Sequence, residues 1–285
     1  MINATALRAL GILGGEPLVR LMGRLRDGDA ALEDDLREME RAASLLALTA
    51  PPAEAPADLK RRVLSRVTAD GYYFLSERES DWDPGKLPGV SLRRLYIDSR
   101  GGREARLVRL TPSAPAAAVA EAAGASFYVL SGDLHVDGER LEMGDWFAAA
   151  GEPPTGRTET GCVLFTVLTG AASRAKGRTR SIVRAAEGDW RSLGDGVTTK
   201  ALGDDPERGL RTSILRMEPG ASWASHRHEG AEELFVVRGD WRCLGTNLHP
   251  GDYHRAGPGT EHETTTSAAG CKLIVVSHSL AAADG

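Results

Sequence analysis

His226 and His228 stand one residue apart, Glu232 follows, and His262 lies further along the chain. On an extended chain, residues i and i+2 face the same side about 6.6 Å apart, so the two histidines project together. Gly220 before this stretch and Gly239 after it mark turns that bring Glu232 alongside. Gly251 and Pro258-Gly259 make further turns before His262 enters the next strand. Three neutral imidazoles and one carboxylate form a ligand set for one divalent first-row cation, zinc first, with iron, manganese and nickel also suited. Glu233 is the alternative carboxylate, but strand alternation favours Glu232. His249, His254 and His278 have no matching constellation and read as exposed or structural.

The elements that must position these residues come twice. "FYVLSGDLHV" from Phe127 is matched by "LFVVRGDWRC" from Leu234, an offset of 107 residues, and "LEMGDWF" is matched by "LHPGDYH" at the same offset. Short alternating apolar runs with Gly, Pro and Asp at their joints are the pattern of an all-β domain. The chain therefore reads as mainly β, with tandem copies over 81–171 and 186–280. Segments 71–80 and 172–185 read as linkers, the second of them basic. At the same offset His226 falls on Val119, His228 on Glu121, Glu232 on Ala125 and His262 on Thr155. Glu121 alone is a donor, and one carboxylate does not hold a metal. The first copy is expected to be degenerate.

"GASWASHRHEGAEELFVVRG" and "GDYHRAGPGTEH" resemble the two cupin motifs. The resemblance implies two tandem jelly-roll barrels of the double-stranded β-helix type, with His226, His228, Glu232 and His262 as metal ligands. Thr260 departs from the motif, standing where many cupins have Gly. Arg216, Arg238 and Trp223 are candidates for the barrel rim. Cys162 and Cys271 follow Gly at equivalent strand starts and read as packing positions, whereas Cys243 reads as the more exposed thiol.

Residues 1–70 have a different texture. Leu18, Leu21, Met22 and Leu25 lie at helical spacing, as do Leu32, Leu36, Met39, Ala43 and Leu46. Asp29 and Asp58 are placed as N-caps, and "PPAEAP" breaks the helix between them. The last helix carries Leu59, Val63 and Val67 on one face, with Arg61, Arg62 and Arg66 around the rest. A small all-α domain is expected here, and its short length leaves it marginal without a partner surface.

A net charge of -5 argues against broad binding to nucleic acid or anionic membranes. Three scattered cysteines do not make a disulfide framework. The start "MINATALRALGILGGEP" lacks the basic region of a signal peptide, and no apolar run is long enough to span a bilayer. A cytoplasmic location is expected.

The opening "ALG", the acidic helix ending "AASLLAL", the "PPAEAPADL" break and the closing basic helix resemble the helical head of anti-sigma factors. Head followed by cupin resembles the ChrR-type anti-sigma family, here with a doubled cupin. Residues 1–134 contain neither Cys nor His, so the head is a zinc-free variant. The resemblance implies an extracytoplasmic-function sigma factor as protein partner, held through the head with Arg61, Arg62 and Arg66 as contacts. It further implies a small-molecule or oxidant signal at the cupin. Cupins also include enzymes, and the alternative reading is a metal-dependent dioxygenase cleaving diketones or flavonols.

Overall fold

The structure, a computed structural model, describes residues 71–98, 103–116, 124–150, 155–169, 179–206 and 209–278. The helical head expected over 1–70, with Arg61, Arg62 and Arg66, lies outside the described residues. Among the described residues the secondary structure is β, apart from a 3-10 turn at Glu77–Glu79. No helix among them is long and apolar enough to cross a membrane.

The pairing is antiparallel throughout the two large sheets. One runs, neighbour by neighbour, Tyr72–Leu75, Tyr253–Ala256, Glu232–Gly239, Cys271–His278, Leu210–Met217, Val197–Asp205, Arg191–Gly194. The other runs Thr179–Val183, Trp146–Ala150, Gly124–Val136, Cys162–Thr169, Arg103–Leu110, Val90–Asp98, Asp83–Pro84. Each sheet is covered on both faces, which explains continuous apolar runs such as "LIVV" at Leu273. Leu273 and Val275 face the interior of the second barrel with Leu215, Leu234 and Val236. Their neighbours Ile274 and Val276 face the other way, joining Phe235, Leu107, Phe165 and Val167 in a core shared between the barrels. The Phe165 and Phe235 rings meet there at 5.3 Å.

The two copies repeat their devices as well as their strands. Gly132 and Gly239 have φ of 79° and 82°, and a Cβ on either would lie under 2 Å from the carbonyl oxygen of Gly161 or Gly270. Only glycine fits such a bend. Asp133 and Asp240, the next residues, each accept two backbone N–H groups from the opposing loop, at 159–160 and 268–269.

The segments expected to be linkers are structural. Tyr72–Leu75, from segment 71–80, is the edge strand of the second barrel, with Tyr72 opposite Ala256 and Leu75 opposite Tyr253. Thr179–Val183, from segment 172–185, is the edge strand of the first barrel, with Thr179 opposite Ala150 and Val183 opposite Trp146. Each barrel's leading strand is thus lent to the other, and each closes an edge that would otherwise leave its N–H and C=O groups unpaired.

Buried cations fasten the exchange. Arg93 donates to Ser80 Oγ, Ser76 O and Gly251 O at 2.5, 3.1 and 3.3 Å, holding the end of the first strap on the second barrel. Lys200, its counterpart at the repeat offset, donates to the carbonyls of Arg184, Ala185 and Glu187 at 3.1, 3.0 and 2.8 Å.

A polar network pins the two barrels together. Fully buried Glu233 accepts from Arg103 Nη2 at 2.6 Å, from Tyr253 Oη at 2.7 Å and from His278 Nε2 at 3.1 Å. Burial alone would raise the Glu233 pKa, but His278 and Arg103 hold it down at about 2. Removing one partner of such a pair strands a buried charge. Arg103→Ala is expected to lower unfolding free energy by about 3 kcal/mol, read from the shift in urea midpoint. Replacing Arg103 and Glu233 together by Met should recover most of that loss; an equal loss in the double variant would exclude the stranded charge as its cause.

Candidate metal centre

The site is assembled from three places in the second barrel. His226–Arg227 forms a two-stranded ribbon with Glu261–His262, so that His226 and His262 are direct cross-strand neighbours. His228 sits in the turn that follows, its N–H donating to Thr260 O at 2.9 Å and its carbonyl accepting from Gly259 N at 2.8 Å. Glu232 opens the strand Glu232–Gly239. The sequence placed these four together, and the structure does bring them together: one donor atom from each lies within 4.8 Å of all the others.

Their geometry centres on one carboxylate oxygen. Glu232 Oε1 lies 3.3 Å from His228 Nε2, 3.6 Å from His226 Nε2 and 3.6 Å from His262 Nδ1. These four atoms are buried and make no hydrogen bond. Buried polar atoms are normally satisfied, so four orphans facing one point suit a cation between them.

The opposite ring nitrogens determine which lone pairs face inward. His226 Nδ1 donates to Ala224 O at 3.1 Å, leaving Nε2 bare. His228 Nδ1 meets Thr260 Oγ1 at 3.0 Å. That hydroxyl spends its own proton on Gly257 O at 2.5 Å, so it must accept from His228. His262 turns its Nε2 to His254 Nε2 at 2.9 Å, and His254 Nδ1 donates to Tyr73 O at 3.0 Å. Because a carbonyl can only accept, His254 carries its proton on Nδ1 and accepts from His262. All three ligand imidazoles therefore present a lone pair to the centre, as a metal requires.

The electrostatics match this arrangement. Burial pushes the Glu232 pKa up, but the imidazoles of His226 and His228 beside its carboxylate outweigh it and hold the carboxyl ionised, at about 2. Burial lowers His262 to about 4 and His254 to about 3, keeping both neutral. His226 moves the other way, raised chiefly by Glu232. It is also the ligand closest to solvent, its side chain 27 % exposed and its ring 4.5 Å from that of Trp223.

Several residues take roles the sequence did not reveal. His254 is fully buried and orients His262, and Thr260, a departure from the motif, orients His228. The available signal was "GDYH" against "GDWF": Phe147 stands in the first copy where His254 stands in the second. Glu233 points to the inter-barrel network rather than to the site. Cys243 is buried, not exposed, and its thiol is pushed up to about 12 by burial first and then by Glu232. Trp223 packs beside His226, whereas Arg216 stacks on Trp190 at 3.8 Å.

In the first barrel the described part of the corresponding space is apolar, while Val119 and Glu121, at the His226 and His228 positions, lie outside the described residues. Ala125 occupies the Glu232 position, and Phe127 and Phe147 stack with ring centroids 4.9 Å apart in the core. Thr155, at the His262 position, is exposed. A second cluster, Asp133, His135 and Glu159, gathers on this barrel. There Asp133 caps the 159–160 loop as Asp240 caps its own, which accounts for its burial without a metal.

The donor set should bind one zinc ion per chain, counted by elemental analysis after dialysis. His228→Ala should lower affinity by at least about 100-fold, measured by competition with a chromophoric chelator. In the metal-free protein, His254 and His262 have folded pKa values below their ordinary 6.5. Their contribution to stability is complete above that value and drains away as pH falls through about 4 and then about 3. His226, raised instead, opposes this but is partly exposed. Melting temperatures in chelator should therefore fall as pH drops below 6.5, and His254→Phe should flatten that slope.

The description "ChrR Cupin-like domain" matches residues 73–172 and again 178–281. No curated protein sequence matches the chain. Solved structures share the fold at low identity. A protein of Pseudomonas aeruginosa described as glyoxylate-induced is 13 % identical, with TM-score 0.60, over 73 % of this chain and 88 % of its own. The pirin YhhW of Escherichia coli, solved with nickel(II), is 10 % identical, with TM-score 0.54, over 73 % of this chain and 100 % of its own. A variant of Bacillus subtilis oxalate decarboxylase is 13 % identical, with TM-score 0.51, over 72 % of this chain and 77 % of its own. The two matches together span well over half the sequence, one per barrel, and the chain belongs to the ChrR cupin-like domain family.

Proposed function

We propose that this chain is an anti-sigma factor whose second barrel is its metal-dependent sensor. The carrying observation is the donor set of His226, His228, Glu232 and His262, gathered in one barrel of a ChrR cupin-like pair and without matching residue types in the sequence of the other. Residues 1–70 sequester an extracytoplasmic-function sigma factor, with Arg61, Arg62 and Arg66 contacting acidic surface on the partner. This assignment rests on the sequence pattern of those residues.

His226, His228, Glu232 and His262 would hold a divalent ion, zinc first, which supplies a Lewis-acidic point where an oxidant or small ligand can act. His228 and His262 are buried and oriented from behind, so they set the position of the site. His226, partly exposed beside Trp223, is the ligand a signal reaches first. Displacing it would change the free energy of the loaded barrel, and a partner bound elsewhere on the chain responds only as far as its own affinity differs between the two states. The same partial exposure favours a second reading, a metal-dependent dioxygenase, since one ligand lies within reach of a small substrate.

Co-expression with each extracytoplasmic-function sigma factor of the source organism, followed by affinity capture of the full chain, tests the proposal. One sigma factor should be retained, the triple change of Arg61, Arg62 and Arg66 to Ala should weaken retention about tenfold, and removing the metal should shift affinity by about tenfold. Failure to retain any sigma factor, with O₂ uptake on a diketone by the metal-loaded protein, would replace this reading with the enzyme.

A further inference from the structure

The first strap touches the metal site from behind. Among the described residues Tyr72–Leu75 is an edge strand, paired on one side with Tyr253–Ala256. Its residues alternate in role: Leu75, with Tyr73 beside it, packs into the inter-barrel core, while Tyr72 and Phe74 face the imidazoles. Phe74 stacks on His254 at 4.2 Å. The Tyr72 hydroxyl accepts the Glu261 N–H at 2.9 Å and donates to the carbonyl of the same residue, bracketing the neighbour of His262. The Tyr73 carbonyl fixes the proton of His254 on Nδ1, and His254 in turn fixes the proton of His262 on Nε2.

This chain of bonds has a thermodynamic consequence. A docked strap favours the one tautomer of His262 that can bind a metal through Nδ1. By reciprocity, a cation at Nδ1 favours the docked strap. The other strap offers an internal contrast: Thr179–Val183 closes the first barrel in the same way, but Phe147 replaces His254 and nothing on its ring can donate to a carbonyl. In the chain the first strap directly follows residues 1–70.

We propose that Tyr72–Leu75 is a metal-coupled latch, tied to the metal centre by the relay Tyr73 O to His254 to His262, and that it carries the state of that centre to the N-terminal region. His254 is a positioning residue in this device. The latch rests on the metal-centre reading above and adds to it a route of regulation.

The test is amide hydrogen exchange, read by mass spectrometry on the full chain stripped of metal and then loaded with Zn²⁺. Zinc should slow exchange in 72–75 by about tenfold or more and leave 179–183 unchanged. His254→Phe, which installs the residue of the metal-free barrel, should weaken zinc binding by about tenfold to 100-fold and abolish the slowing at saturating zinc. His254→Gln, which keeps an acceptor for His262 and a donor for Tyr73, should restore both. The latch is overturned if zinc binds and neither strap slows, if both straps slow alike, or if His254→Phe keeps the slowing. Failure of the wild-type chain to take up zinc would remove the metal centre itself, and the latch with it.

Discussion

A neutral imidazole has one bare nitrogen and one protonated nitrogen, and everything at this site depends on which of the two faces inward. The protein settles the matter three times over by giving the outward nitrogen something to which it must donate: the Ala224 carbonyl, the Thr260 hydroxyl with its own proton already committed, and His254 with its proton drawn to Tyr73. Glu232, kept ionised, then completes a concave set of four lone-pair donors. The ligands alone would not have this property. It belongs to the groups behind them, which hold each ring in one orientation and one tautomer.

Those groups are supplied by the architecture of the pair. Two copies of one β unit exchange their leading strands, and each exchanged strand is fastened by a buried cation, Arg93 or Lys200, reaching across from the other copy. The shared apolar core and the Arg103–Glu233–His278 network make this exchange a single packed body rather than beads on a string. The second barrel is therefore completed by chain that precedes the first copy. The first barrel, with the same scaffold, has phenylalanine and alanine where the second has histidine and glutamate, and its contribution is packing and a borrowed strand.

Low-identity neighbours of this fold carry names as different as pirin and oxalate decarboxylase, so the barrel does not choose a function by itself. This chain combines one buried donor set, a paired barrel without the same set among its described residues, and a strap that meets both the donor set and the start of the described chain. That combination is the basis of the sensor reading proposed above.

The sequence by itself determined the duplication and the four candidate donors. The 107-residue offset, the His-x-His spacing and the bracketing glycines are local facts, and strand periodicity turns them into shared faces. The lack of matching donor types in the first copy was equally legible, because residue types can be compared position by position. Only the tertiary structure decided where the straps go, what His254 and Thr260 do, and that Glu233 belongs to the interface. The reason is that periodicity tells which residues share a face of a strand but not which distant edge that strand pairs with. A residue that acts by holding another residue's proton shows its role only when the partners meet: Tyr73 and His254 are 181 residues apart in the chain and 3.0 Å apart in the fold.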